Sequence, residues 1–324
     1  MNLAGRSVDS RERPASPYTR AAWMLACCVA LAACGAEESD RPYVAVDTEE
    51  RPDGIVADAP LGDVVSEDLD REIFRRKLDW ALEQGLQDLP IGEIIARIGR
   101  SFVGTKYTPG TLEIPGPERL VINLRELDCV TFVENVLALA RLVREGGGSF
   151  EDFQRELRAI RYRGGVIDGY PSRLHYFSEW IRNNVEMQLV SAVTRELGGE
   201  ADTEPIDFMG THREAYPKLA EDDSTLAVIR EQERRLSEVP RYFIPEERIA
   251  EVAPRIEDGD IIAATSSIAG LDVAHTGFAI WIDGRLHLMH APLVGEAVQI
   301  SDKPLAERIL DIEGQDGIMV ARPL

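Results

Sequence analysis

The sequence predicts an α+β fold. Helical periodicities fill the earlier part of the chain, strand signals fill the end, and Asp283-Gly284 stands between two of those strands as a strong short hairpin signal. About 250 residues carry such patterns, enough for one large domain with its own core.

Ile73, Phe74, Leu78 and Leu82 repeat at helical spacing, Pro90 breaks the run, and Ile91, Ile94, Ile95 and Ile98 resume it. Residues 104–113 read as a loop and 118–123 as a strand leading to Asp128. After Cys129 the apolar positions 130, 133, 136, 137 and 140 predict an amphipathic helix with the cysteine in its first turn. Helices are expected over 150–160 and 172–184, and one more over 224–236 lies within an irregular stretch from 185 to 255. Asp258-Gly259-Asp260 then turns into a buried strand over 261–264, and residues 273–282 and 285–291 form the hairpin.

The N-terminus reads differently. Arg11, Arg13 and Arg20 precede an apolar segment, 21–33, that is short for a membrane span. Leu31-Ala32-Ala33-Cys34-Gly35 resembles a bacterial lipobox, which implies an export leader over residues 1–34 and lipidation of Cys34. Residues 35–70, acidic and broken by Pro42, Pro52 and Pro60, are expected to form a disordered tether ahead of a domain over 71–324. Such a protein is lipid-anchored in the cell envelope, and Gly35 after the lipid cysteine suggests the periplasmic face of the outer membrane. The net charge of -21 excludes nucleic acid and anionic lipid surfaces as partners.

Removal of the leader leaves Cys34 and Cys129 of the four cysteines, with Cys129 the free thiol. At a helix start, unpaired N–H groups and the helix dipole favour a thiolate. A sulfur nucleophile also needs a base, and the base needs a group that holds its tautomer. A two-residue turn at Asp283-Gly284 places His290 opposite Gly277 and His287 opposite Ile280. His275 shares a face with residue 277, so His275 and His290 are diagonal neighbours about 7–8 Å apart along the backbone. Cys129, His275 and His290 therefore supply nucleophile, base and orienter. The same three could ligate zinc, but no CxxC, HExxH or second cluster accompanies them. Neither a glycine-rich phosphate loop nor a serine nucleophile elbow is present.

Asp128-Cys129, Gly259-Asp260-Ile261-Ile262, His275-Thr276-Gly277-Phe278 and Leu288-Met289-His290-Ala291 resemble the ordered blocks of the NlpC-like cell-wall cysteine peptidases, a papain-like α+β superfamily. Thr111-Leu112-Glu113, Ser172-Arg173-Leu174-His175-Tyr176-Phe177, Asp207-Phe208-Met209 and Gly270-Leu271-Asp272 extend the resemblance to its N-acetylmuramoyl-L-alanine amidase-like branch, from about residue 72 to the end. What the resemblance implies is cleavage of the muramoyl–L-alanine amide of peptidoglycan fragments through a cysteine thioester, without metal or cofactor. Cys129 is then the nucleophile, His275 the base and acid, His290 the orienting group, and Tyr107 a wall of the site. Glu113, Arg173 and His175 are candidates for sugar or peptide contacts, since an arginine offers a planar fork to carboxylates and amides. Asp128 and Thr105 rank after them. Val130 stands where many D-glutamyl–diamino-acid endopeptidases of the superfamily carry serine, which favours the amidase. The alternatives are that endopeptidase activity, a non-catalytic peptidoglycan-binding lipoprotein, or an acyltransferase using the same thiol.

Overall fold

The computed structural model describes residues 62–324. The leader over 1–34, Cys34 and most of the expected tether lie outside the described residues.

Strand β1 (Val64–Val65) and helix α1 (Asp68–Glu83) open the fold. They correct the expected tether boundary, because the folded domain already includes residues before 71. The reason is Asp70, which is wholly buried. Its carboxylate accepts from the backbone N–H of Glu67 at 2.9 Å and of Leu124 at 2.9 Å, and from Arg125 Nε at 3.1 Å. The last acid of an acidic run is thus an anchor with both carboxylate oxygens hydrogen-bonded, as a buried carboxylate must be.

Pro90 starts α2 (Ile91–Arg100). Three two-residue strands follow, β2 (Lys106–Tyr107), β3 (Leu120–Val121) and β4 (Glu126–Leu127). β1 pairs with β3 and β2 with β4, both in parallel. The β2–β4 pair delivers the chain to α3 (Cys129–Arg144), whose N-cap is Asp128. This helix is buried nearly all round, from Thr131 to Val143, and not on one face alone. The full burial follows from its place between helices and sheet. Helix α4 (Phe150–Arg161) packs beside it, held by a capping box of Ser149 and Asp152. An ion pair between Arg161 and Glu134, 2.7 Å long and shut off from solvent, joins the two helices.

Helix α5 (Phe177–Glu186) leads to β5 (Val190–Ala192) and β6 (Glu200–Asp202). Short helices α6 (Phe208–Thr211) and α7 (Pro217–Ala220) precede α8 (Asp223–Ser237), close to the expected 224–236. Then come β7 (Arg241–Pro245), α9 (Ile249–Val252), β8 (Ile261–Ser266), β9 (Val273–Ile282), β10 (Arg285–His290), β11 (Gln299–Ile300), α10 (Leu305–Asp311) and β12 (Gln315–Pro323).

The main sheet runs β11-β10-β9-β8-β12-β7-β6, with β5 also on β12, and all of its pairs are antiparallel. The fold is therefore a mixed α+β fold of helices and antiparallel sheet. Alternation along the strands gives the sheet two apolar faces. Ile261, Ala263, Phe278, Ile280 and Met289 pack with α2, α3 and α4. Ile262, Ala264, Ala279, Leu288 and Val320 pack under Leu305 and Ile309 of α10. Phe132 meets Phe278 edge-to-face at 5.6 Å, fixing α3 against β9. A third cluster, around Tyr176, Phe208 and Leu226, holds α8. Among the described residues no helix is long and apolar enough to cross a membrane.

Candidate active site

Cys129 is the first residue of α3. Asp128 Oδ1 accepts from the Thr131 N–H and hydroxyl, each at 2.8 Å, while Thr131 Oγ1 accepts from the Asp128 N–H at 2.9 Å. This reciprocal cap locks the turn that presents the sulfur. The expected thiolate is not what this turn produces. Burial, then the Asp128 carboxylate, push the Cys129 thiol up to about 12, and the N–H groups of Thr276, Val130 and Cys129 pull against that shift without overcoming it. Desolvation outweighs the helix start, because the same cap that orders the turn sets a carboxylate beside the sulfur.

The hairpin has the register that its turn predicts: Arg285 faces Ile282, His287 faces Ile280 and Met289 faces Phe278. Asp283 and Gly284 both take positive φ, 49° and 75°, the conformation a two-residue hairpin turn of this twist requires. His275 and His290 share a face, and their Nε2 and Nδ1 atoms lie 2.7 Å apart with the rings edge-to-face. His287 is on the other face and donates from Nδ1 to the Ser301 carbonyl. A bulge in the β8–β9 ladder, between the His275–Ala264 and Val273–Thr265 pairs, lies just before His275, which itself keeps the regular register of residues 276–278.

Both imidazoles are buried, His290 to 2% exposure. Burial, His290 and Arg308 hold His275 well below the ordinary histidine range, and burial with Arg308 brings His290 to about 3. Each is neutral. His290 Nε2 is buried without a partner.

Tyr107 pairs with Leu127, two residues before Cys129, and its N–H donates to the Glu296 carbonyl at 2.8 Å in the loop that follows His290. Glu113, Arg173 and His175 do come together. Arg173 Nη2 donates to Glu113 Oε1 at 2.6 Å, Nε lies 3.3 Å from Glu118 Oε1, and the guanidinium sits over the Tyr170 ring. His175 Nε2 donates to the Tyr170 carbonyl at 2.9 Å and its ring packs on Tyr170. Two carboxylates thus engage the planar fork of Arg173. Glu113 Oε2 and Thr111 Oγ1, in contrast, are buried without partners.

Sequence reasoning missed Glu118, Tyr170 and Arg308, none of which carries a local motif. It also gave no role to Asp272. That carboxylate accepts from the Ser178 N–H at 2.7 Å and the Val273 N–H at 2.8 Å, tying the first turn of α5 to the entry of β9, three residues before His275. The Arg173 cluster is carried by the segment that enters the same helix. Among the described residues no group of three or more His, Cys, Asp or Glu side chains is arranged to hold a metal ion. His275 and His290 form a hydrogen-bonded imidazole pair, and the N–H of Thr276, next to His275 in the chain, meets the Cys129 sulfur.

A family profile described as AmiA-like, N-acetylmuramoyl-L-alanine amidase-like, matches residues 97–315. A solved N-acetylmuramoyl-L-alanine amidase from Bacteroides uniformis is 37% identical, superposes with a TM-score of 0.70, and is matched over 72% of this chain and 99% of its own. A Bacteroides fragilis structure with a provisional xylanase name is 40% identical, with a TM-score of 0.67 over 69% of this chain and 98% of its own. The Legionella pneumophila protein LPG0564, of family DUF1460, is 22% identical with a TM-score of 0.57 over 79% and 94%, and shares the fold. A search of curated proteins finds no match.

Proposed function

The chain belongs to the AmiA-like, N-acetylmuramoyl-L-alanine amidase-like family, and from that premise we propose that it hydrolyses the muramoyl–L-alanine amide of peptidoglycan fragments by cysteine catalysis on an NlpC-type, papain-like fold. The observation that carries the reading is the 2.7 Å bond between His275 Nε2 and His290 Nδ1, on the strand whose Thr276 N–H meets the Cys129 sulfur.

In this mechanism His275 Nε2–H donates to His290 Nδ1, which leaves Nδ1 of His275 bare as the base nitrogen. His275 takes the thiol proton as sulfur attacks the lactyl carbonyl. Because the thiol is high and the imidazole low, the proton moves during attack and no ion pair is stored beforehand. The Cys129 N–H at the open helix start holds the oxyanion. Collapse of the adduct breaks the C–N bond, and His275 returns its proton to the leaving L-alanine nitrogen. A water deprotonated by His275 then cleaves the thioester, releasing the muramoyl carboxylate and restoring the thiol. Tyr107 and Asp128 flank the nucleophile, the latter with its carboxylate committed to the helix cap. Glu113, Arg173 and His175 form the polar wall, with Glu113 Oε2 the acceptor left for a sugar hydroxyl or a stem-peptide N–H.

Val130, apolar beside the nucleophile, supports the amide bond over the D-glutamyl bond of the stem. A glycosidase would need two carboxylates flanking the scissile bond. Glu113 and Glu118 are instead both turned to Arg173. Lipidation of Cys34, with the acidic tether, would hold the domain at the periplasmic face of the outer membrane. The test is mass spectrometry of a muropeptide digest, with xylan as a control, using wild type and Cys129→Ala. Free stem peptide beginning with L-alanine, made by wild type alone, is the expected product. A dipeptide product would move the cut to the endopeptidase bond, and binding without turnover would make the protein a peptidoglycan receptor.

A further inference from the structure

The His275–His290 pair has a neighbour that the mechanism above does not use. Leu305 and Ile309 of α10 pack onto the sheet face that also carries Ala264, Ala279 and Leu288. Ala264 is the cross-strand partner of His275, and Leu288 alternates onto the same face as His290. Arg308, three residues after Leu305 and one before Ile309, lies on the inward side of that helix. Its Nη1 donates to Gln315 Oε1 at 3.3 Å, and among the described residues no carboxylate pairs with it. A guanidinium drawn toward a sheet without a counter-ion is costly.

The other charges around the imidazoles are spent. Asp128 on α3 is bonded to Thr131, Asp272 at the entry of β9 to Ser178 and Val273, and Asp316 on β12 to the Thr265 hydroxyl at 2.5 Å. The charge of Arg308 is felt by His275 and His290, and it interacts with Cys129 in turn. A proton added to His290 would abolish the lone pair that accepts from His275 Nε2–H. That would turn His275 around and present an N–H to the sulfur.

We propose that Arg308 is a positioning residue that excludes positive charge from the two imidazoles, so that His290 remains an acceptor and His275 remains a bare base in acidic as well as neutral surroundings. The inference rests on the catalytic roles proposed above, and its first test does not use the reaction. In wild type, NMR-monitored pH titration of the ring nitrogens, assigned through single histidine replacements, should leave His275 and His290 neutral down to about pH 5. Arg308→Met should bring at least one of them into titration by about one pH unit or more higher, while Arg308→Lys keeps the wild-type behaviour. Identical titrations in wild type and Arg308→Met would overturn the proposal, as would Arg308→Lys behaving like Arg308→Met. Where turnover is measurable, kcat/KM of Arg308→Met should fall about tenfold further at pH 5.5 than at pH 8, with the lysine variant retaining the wild-type profile. A loss of equal size at every pH would mark a merely structural residue. Should Arg308→Met fail to fold, Arg308→Gln, which keeps a polar end for Gln315 without the charge, carries the same expectations. Absence of amidase activity would leave the titration result standing, so the two readings fail separately.

Discussion

Gly277 sits opposite His290, and Gly277→Ala is the smallest change that tests the dyad. A methyl group at 277 would lie 2.5 Å from the Met289 carbonyl oxygen, 2.9 Å from His290 Cβ and 3.0 Å from Leu288 Cδ1. Ordinary contact begins near 3.4 Å, and two of these three neighbours are backbone or Cβ atoms that no rotamer change can move. β10 must therefore retreat from β9 by about 0.5–1 Å at His290, at a cost of about 1–3 kcal/mol, the usual penalty for an overpacked core position. For a domain of this size that is a fall in Tm of roughly 3–10 °C. The same retreat lengthens the 2.7 Å bond that orients His275. A misplacement of about 1 Å in a catalytic array costs about a hundredfold. Activity and stability should separate in this variant: at 25 °C nearly all molecules remain folded, yet kcat/KM on a muramoyl–L-alanine substrate should drop by about two orders of magnitude. A variant with lowered Tm and kcat/KM within about twofold of wild type would refute the orienting role of His290. An unchanged Tm would refute the clash itself.

Two further outcomes are expected. Glu134→Gln strands the charge of Arg161, which also donates from Nη1 to the Val121 carbonyl at 2.6 Å. It should cost about 3–5 kcal/mol in urea unfolding, and Glu134→Leu with Arg161→Met should recover most of that loss. His175 is held well below its ordinary value by burial and Arg173, so it contributes stability above about pH 6.5 that is lost as pH falls below it. His175→Gln should consequently reduce the stability difference between pH 7 and pH 5.5 by about 1 kcal/mol, measured as paired urea melts, and a difference equal to that of wild type would rule out a neutral buried imidazole at 175.

The parts of this molecule that sequence makes legible are those ruled by local periodicity. The Asp283-Gly284 turn fixes register because side chains alternate, and register alone brings His275 to His290. The lowered thiol pKa failed because a helix dipole is a local property whereas desolvation belongs to the assembled core, and Asp128 serves the helix while opposing the thiolate. The tether boundary failed for a related reason: Asp70 reads as one more acid until Leu124 and Arg125, more than fifty residues on, arrive to bond it. Arg308 and Glu118 were invisible in the same sense, since nothing near them in the chain specifies their partners, whereas Glu113 and Arg173 were legible as candidates but not as a pair. β12 escaped too, in a stretch where its alternation serves two apolar faces at once and so reads as no pattern.

That last strand also sets a clock. β12 lies between β8 and β7, and Arg322 near its end clasps Asp260 at the head of β8. The ribosome therefore delivers a central rib of the sheet after every side chain of the proposed chemistry has already been made. Until residues 315–323 are out, the hairpin with both histidines hangs on a β8 whose other edge is bare. The side chains of the proposed chemistry are thus made before the strand that braces their sheet.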